Sequence, residues 1–234
     1  MIEIITSTHC KRESGFYSTG VAPCRARVPQ SIVYTIGMRL LVATTNPGKM
    51  TEIKVALSER AIEVLGLDGF PGLGQPEETG ATFAENALVK ARFYHGATGL
   101  PTVADDSGLE VEALGGRPGI HSARYAGPLS SDRDRINKLL LEMNGIPPDK
   151  RAGRFVCAAA LAWSGGEIVF HGEVHGSILE EPRGNLGFGY DPVFYHAGLE
   201  MTLAEMTPEQ KASVSHRGIA LGRLADWIKR TGLD

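Results

Sequence analysis

Two adjacent carboxylates, Asp105 and Asp106, are the residues best suited to chemistry in this sequence. They follow an apolar run that predicts a buried strand, where carboxylates are costly unless they are paired, solvated or bound to a metal. They could form an Asp-rich turn, but we favour a Mg²⁺ ligand or a general base beside a cleft. Because successive side chains of an extended segment point to opposite sides, we expect only one of them to face the site.

The segment 44–49, Thr-Thr-Asn-Pro-Gly-Lys, could bind phosphate. It joins a predicted strand to a predicted helix, and the N–H groups and positive dipole at a helix start attract anions. Lys49 adds a positive charge. However, Asn-Pro-Gly is also ordinary turn chemistry, and the spacing of a Walker P-loop is absent. These residues alone leave the two interpretations equal.

The segment 184–192 places Phe188 and Tyr190 among several glycines. Such a loop can let a flat ring lie close to the backbone. It can equally be a bulged loop whose aromatic side chains pack in the core, which is the more common use of aromatic residues. The segment therefore suggests a base pocket only in combination with other evidence.

Charged side chains stand in two further places. Lys211, His216 and Arg217 lie around a predicted helix start, where they could be a cap and solvated side chains or donors to a base carbonyl or phosphate. Glu77 and Glu78 precede another helix, where acids favour the dipole. The two glutamates could also join the aspartates in an oxygen cluster for Mg²⁺ if the fold brings them together.

The hydrophobic pattern predicts the elements that would position these residues. The predicted strands are 40–43, 62–65, 101–104, 109–114 and 155–163, followed by a tight turn at Gly165 and Gly166 and a return strand with inward Ile168, Phe170, Gly172 and Val174. The predicted helices are 47–57, one capped by Thr82 and Glu85 that runs to about 97, one starting at Ser131, and one over 215–229. Helices that alternate with strands, plus one long hairpin, indicate a mixed α/β sheet.

Composition limits the class of protein. The 234 residues are 42% hydrophobic with a formal net charge of -3, which fits a globular protein and opposes a nucleic-acid-coating surface. No apolar stretch approaches the length that crosses a bilayer. Three widely spaced cysteines form neither a disulfide framework nor a zinc motif, so we expect a cytoplasmic location. Residues 1–37 lack periodicity, and we expect a poorly ordered extension or sequence upstream of a start at Met38, followed by one domain over 38–234.

Taken together and in order, the segments resemble the inosine triphosphate pyrophosphatase family, which cleaves non-standard purine nucleoside triphosphates to the monophosphate and pyrophosphate. The resemblance covers about 39–227. The matching blocks are ATTNPGK (43–49), EETGATFAENALVKA (77–91), ADDSGLEVEALGGRPGIHSARYAG (104–127), GFGYDPVF (187–194) and SHRGIAL (215–221).

The resemblance implies a two-lobed α/β fold with a long central mixed sheet flanked by helices, an active cleft between the lobes, and a homodimer. It implies dITP, ITP and XTP as substrates and Mg²⁺ as cofactor. Asp106 would be the general base and a metal ligand, with Glu77, preferred over Glu78, as the second metal ligand. The implied substrate-binding residues are Thr44, Thr45, Asn46, Pro47, Gly48, Lys49, Ser107, Phe188, Gly189, Tyr190, Asp191, Lys211, His216 and Arg217.

Base selectivity has a physical basis. Hypoxanthine and xanthine carry an acceptor oxygen at C6, where adenine carries an amine. A pocket that offers donors such as Arg217, His216 or backbone N–H groups would leave adenine's amine unpaired, and unmatched buried polar groups discriminate strongly. Two alternatives stay open: a pyrophosphatase for other modified nucleotides, and a nucleotide-binding sensor without turnover, which would not need the acidic residues.

Overall fold

The computed structural model describes residues 38–58 and 62–233. The prediction of a poorly ordered extension over 1–37 lies outside these residues. The described part of the chain contains no helix that is both long and apolar enough to span a membrane.

A mixed sheet forms the centre of the fold, as predicted, and within residues 38–58 and 62–233 it has seven strands. Its order is β2-β1-β3-β4-β5-β6-β7. The first three strands in that order are parallel, and every later neighbour is antiparallel. The strands are β1 (Met38–Val42), β2 (Ile62–Gly66), β3 (Thr102–Val111), β4 (Ala152–Trp163), β5 (Gly166–Ile178), β6 (Phe194–His196) and β7 (Met201–Thr202).

Five α-helices of the described residues flank the sheet, and the cap predicted at Thr82 is confirmed. They are α1 (Pro47–Leu57), α2 (Phe83–Thr98), α3 (Asp132–Glu142), α4 (Pro208–Val214) and α5 (His216–Thr231). The side chains of Asn46, Thr82, Ser131 and Ser215 each accept a hydrogen bond from a first-turn backbone N–H. These caps fix where each helix starts and therefore where Lys49, His216 and Arg217 lie.

The structure corrects the prediction of two strands on either side of the aspartates. β3 is one continuous strand of ten residues, and Asp105 and Asp106 lie in its middle. The polar residues of this segment are typical of a turn, but β4 pairs with β3 along its whole length and supplies the backbone hydrogen bonds of a strand. The other edge of β3 pairs with β1 only at Thr102 and Val103. Beyond Val103, no strand of the described residues pairs with that edge, and the next contact is a single β-bridge between Glu110 and Pro118.

Hydrophobic packing divides the molecule into the two predicted lobes. In one lobe, α1 and α5 cover one face of β1, β3 and β4, and α2 covers the opposite face. In the other lobe, α3 and the segments around β6 and β7 pack on the far ends of β3, β4 and β5. The free edge of β3 lies where the two lobes meet.

Smaller differences from prediction concern short elements. The hairpin turn is formed by Ser164 and Gly165, since β5 already begins at Gly166. The strands β6 and β7 and the helix α4 were not predicted, because two to seven residues are too few for a hydrophobic period to register.

Candidate active site

A cavity of about 310 Å³ opens at the free edge of β3, between the two lobes. It is lined by most of the residues that the sequence analysis selected: Thr44, Thr45, Asn46, Lys49, Asp105, Asp106, Ser107, Phe188, Gly189, Tyr190, Asp191, Lys211, His216 and Arg217. Pro47, Gly48 and Glu77 are not part of the lining. The expectation that only one aspartate faces the site is wrong, because both line the cavity where β1 has ended.

Asp106 lies on the α2 side of β3. Its Oδ2 accepts a hydrogen bond from Asn86 Nδ2 at 3.2 Å, and its Oδ1 is 3.6 Å from the Nζ of Lys90. Burial raises the pKa of Asp106 above its ordinary value, although Lys90 and Lys49 act in the opposite direction. A carboxylate with a raised pKa and a partly exposed side chain is suited to accept a proton.

Asp105 has the opposite character, because it points to the other face of the strand. Its Oδ2 is 3.0 Å from Lys49 Nζ and 3.1 Å from Arg217 Nε, and it accepts a hydrogen bond from Ser107 Oγ at 3.1 Å. Burial alone would raise the pKa of Asp105, but Lys49 and Arg217 outweigh it and hold the pKa well below the usual range. Asp105 is therefore a fixed negative charge that organises cations, and Asp106 is the better candidate base.

The segment before α1 has the geometry of a phosphate site. Asn46 caps the helix by accepting from Lys49 N at 3.1 Å, and its own N–H donates to Thr44 Oγ1 at 3.2 Å. Lys49, in the first turn, reaches the cavity beside Asp105. A helix start with a lysine in its first turn offers both dipole and charge to an anion.

The opposite end of the cavity holds an aromatic ring among cations. The ring of Phe188 is 4.9 Å from Lys211 Nζ and 5.5 Å from the guanidinium carbon of Arg217. A Cβ added at Gly48 would be 2.5 Å from the Phe188 ring, so only glycine allows this close approach to the start of α1. Gly48 thus shapes the site from outside the lining, and Phe188 offers a flat face at its edge.

A network of buried charges connects the two ends of the cavity. Lys211 pairs with Asp191 and, at 2.6 Å, with Glu52 of α1. Arg217 pairs with Glu52 and with Asp105, and its Nη2 donates to Ser107 Oγ at 2.7 Å. Together with Lys49, the network has three acids and three bases, so its charges balance. Arg217 uses three of its five N–H groups in these contacts, which leaves two for a ligand.

His216 is buried next to this network and stacks on Phe155, with ring centroids 4.7 Å apart and planes 8° from parallel. Burial, and then the charges of Arg217 and Lys211, lower the pKa of His216 well below its ordinary value. The imidazole is therefore neutral at pH 7. Its Nδ1 has no hydrogen-bond partner among the described protein atoms.

The acidic residues fit a magnesium ion only in part. Within residues 38–58 and 62–233, no group of three or more His, Cys, Asp or Glu side chains is arranged to hold a metal. Glu78 lines the cavity, and Lys90 Nζ lies 3.4 Å from Glu78 and 3.6 Å from Asp106, so a positive charge already sits between these two carboxylates. Glu77 is exposed. Two carboxylates suit Mg²⁺, which takes its other ligands from phosphates and water.

Sequence reasoning missed several residues of the site. Glu52 lies three residues after Lys49 on α1, and Lys90 lies four residues after Asn86 on α2. Both spacings place the pairs on one helix face, and this signal could have identified them. Asp132 and Arg135, at the start of α3, also line the cavity.

Comparisons with known proteins identify the family. The model of the Ham1 family matches residues 40–227. A dITP/XTP pyrophosphatase of Geobacter sulfurreducens is 47% identical over 197 residues, which cover 84% of this chain and 99% of the relative. A dITP/XTP pyrophosphatase of Thermus thermophilus is 50% identical over 194 residues, covering 82% and 93%. The resemblance seen in the sequence motifs is therefore confirmed.

Solved structures share the fold. The Ham1 protein of Staphylococcus aureus superposes with a TM-score of 0.73 at 39% identity, over 82% of this chain and 98% of that one. A HAM1 protein of Coxiella burnetii gives a TM-score of 0.75 at 38% identity, over 83% and 100%. The predicted α/β fold is thus confirmed, and this chain belongs to the Ham1 family.

Proposed function

We propose that this protein is a dITP/XTP pyrophosphatase, which hydrolyses non-standard purine nucleoside triphosphates to the monophosphate and pyrophosphate. Membership of the Ham1 family and relatives named dITP/XTP pyrophosphatase at 45–50% identity support this activity. Removal of such nucleotides keeps their bases out of DNA and RNA. The observation that carries the proposal is a single cavity with a phosphate site and a candidate base at one end and an aromatic, cationic pocket at the other.

In this proposal the triphosphate binds at the start of α1 and Lys49. Asp106 accepts a proton from a water molecule, whose oxygen attacks the α-phosphorus while the α–β P–O bond breaks and pyrophosphate leaves. Lys49 and Lys90 offset the negative charge that develops on the leaving group. Ser107, whose hydroxyl accepts from Arg217 and donates to Asp105, contacts the substrate in this proposal.

The base lies at the other end of the cavity, against Phe188. The remaining N–H groups of Arg217 and the neutral His216 offer donors to a C6 oxygen. Adenine has a C6 amine, so its donor would face these donors without a partner. This mismatch accounts for the rejection of ATP and dATP.

Mg²⁺ is the proposed cofactor, and the carboxylates of Asp106 and Glu78, with Lys90 close to both, fit it in part. When bound, the ion would supply positive charge that stabilises the negative charge developing on the departing pyrophosphate. Asp106 and one glutamate of the Glu77–Glu78 pair would hold it. Sequence resemblance favours Glu77, whereas Glu78 is the one that lines the cavity.

A matched pair of variants decides between the glutamates. Glu77→Gln and Glu78→Gln each remove one charge from the same loop. The true ligand's variant should need a higher Mg²⁺ concentration for half-maximal activity, measured by titrating Mg²⁺ at saturating dITP. Equal and unchanged Mg²⁺ requirements would remove both residues from the metal site.

A substrate panel tests the activity itself. The purified protein is incubated with Mg²⁺ and, separately, dITP, XTP, dATP, dGTP and dTTP, and pyrophosphate and monophosphate are quantified. Strong release from dITP and XTP alone is expected. Release from another nucleotide would move the protein to a different modified substrate, and tight dITP binding without turnover would make it a sensor.

We further propose that the protein is a homodimer located in the cytoplasm. A mass close to twice 25.1 kDa by light scattering after gel filtration is expected. Recovery of the protein in the soluble cytoplasmic fraction is the matching test of location, and a monomer or a membrane-associated protein would contradict these two statements.

A further inference from the structure

We infer that Asp132, at the first position of α3, is a positioning residue that holds the base-pocket loop 187–191 in its binding conformation. Its side chain has no role in the chemical step proposed above and acts on the base pocket through the backbone of Gly189. The effect of Asp132 on substrate rests on the proposed function, but its effect on the loop does not.

The loop needs external support because of its backbone path. Gly187 and Gly189 both have positive φ, at 73° and 64°, so the chain turns sharply on either side of Phe188. Glycines that adopt this conformation are also the residues with the most freedom to leave it. One support comes from within the loop, where Phe188 N donates to Asp191 Oδ2 at 2.8 Å.

The other supports come from outside the loop, from α3 and from Ser122. Gly189 N donates to Asp132 Oδ2 at 2.7 Å, and Tyr190 Oη donates to Ser122 O at 3.0 Å. The first of these is a charge-assisted bond to the backbone at the centre of the loop, which is stronger than a neutral one. Asp132 is thus the charged side chain that connects α3 to the residue next to Phe188.

Asp132 is itself held in place. Its Oδ1 pairs with Arg135, one helical turn along α3. Arg135 in turn donates to Ala123 O at 2.9 Å and to Ser130 O at 2.7 Å. Because Arg135 is fixed by two carbonyls, the pair presents Asp132 Oδ2 to Gly189 in a single orientation.

The consequence concerns substrate affinity. Phe188 directly precedes Gly189, so a shift of Gly189 also moves Phe188. The Phe188 ring must stay against Lys211, Arg217 and the start of α1 to form the pocket. When only a fraction of molecules has the loop in place, the apparent dissociation constant rises by the inverse of that fraction. Loss of Asp132 should therefore raise KM for dITP, while kcat at saturation stays close to that of the wild type.

Three variants test this inference. Asp132→Ala removes the acceptor, and Asp132→Asn keeps an acceptor oxygen without the charge. Arg133→Ala is the control: it removes an exposed charged side chain from the first turn of α3 and leaves the cap formed by Ser131 and Asp134 intact. Each is measured for kcat and KM with dITP and for amide hydrogen exchange of the peptide that spans 184–191.

We expect Asp132→Ala to raise KM about tenfold, the effect of one lost charge-assisted hydrogen bond, and to speed exchange in 184–191. Asp132→Asn should give an intermediate KM, and Arg133→Ala should match the wild type in both readouts. Equal KM and equal exchange in Asp132→Ala and Arg133→Ala would overturn the inference. If the wild type does not hydrolyse dITP, the proposed function fails, and unchanged exchange in Asp132→Ala still overturns the positioning role separately.

Discussion

Two neighbouring aspartates acquire different chemistry from their surroundings. Lys49 and Arg217 hold the pKa of Asp105 below its ordinary value, whereas burial raises the pKa of Asp106, which lies beside Asn86 and Lys90. The residue types can be read from the sequence. The different roles of the two aspartates cannot, because these roles depend on which helix packs on each face of β3.

The first prediction at this scale concerns Asp106. Asp106→Asn should lower kcat for dITP by about 10²- to 10⁴-fold, the usual contribution of a general base, with little change in the thermal unfolding midpoint. Steady-state pyrophosphate release and calorimetry measure the two effects. Turnover like that of the wild type would remove Asp106 from the mechanism.

The second prediction at this scale concerns the buried, neutral His216. Because its folded pKa is depressed, the unfolded state binds more protons, so stability is present above the ordinary histidine pKa and is lost as pH falls below about 6.5. The loss should be on the order of 1.4 kcal/mol per pH unit in this window. Urea unfolding between pH 7.5 and pH 5 tests this, and the slope should shrink in His216→Gln.

The control for that measurement is His175→Gln, which removes an exposed histidine with a side chain that is 68% accessible. It should leave the slope of the wild type intact. Equal slopes in all three proteins would mean that His216 does not carry the acid sensitivity.

At the scale of elements, the site depends on how closely α5 packs on the sheet. A Cβ added at Gly172 of β5 would stand 2.1 Å from His216 O and 2.7 Å from Ala220 N, both of them backbone atoms of the helix. This contact sets the height of the first turn of α5 above β4 and β5. That turn carries both His216 and Arg217 into the cavity.

We therefore predict that Gly172→Ala displaces the start of α5. It should lower the free energy of unfolding by about 1–3 kcal/mol, as overpacking does, and should also lower kcat/KM for dITP. Gly222→Ala is the matched control on α5, since a Cβ there meets nothing within 4 Å. That helix substitution should be neutral or stabilising by up to about 1 kcal/mol. Equal effects of the two changes would contradict the packing argument.

At the scale of the whole molecule, the cavity joins two lobes that have separate hydrophobic cores. The phosphate site and Asp106 lie on one lobe, and Asp132 and Tyr190 lie on the other. A ligand that fills the cavity must therefore contact both lobes, and its binding energy adds to the stability of the folded chain.

The inactive Asp106→Asn variant allows this to be measured with intact substrate. At about 100 times its dissociation constant, dITP with Mg²⁺ should add about 2.7 kcal/mol, which corresponds to a rise of roughly 5–10 °C in the unfolding midpoint. The same concentration of dATP should raise it far less. Equal shifts from dITP and dATP would show that the cavity does not select the base.

The sequence by itself determined most of the elements and most of the residues of the site. Caps such as Thr82 and Ser215, and the periodic apolar positions of the helices, are local signals, so they mark the starts of α2 and α5 without knowledge of the fold. The motif blocks were specific enough to identify the family.

Only the tertiary structure decided how these residues cooperate. It merged two predicted strands into β3, because pairing with β4 outweighs the local turn preference of Asp105, Asp106 and Ser107. It joined Glu52 to Lys211 and Arg217, which lie more than 150 residues away, and it joined Asp132 to Gly189. Contacts between residues so distant in sequence leave no local pattern, because they arise only when separate elements pack together.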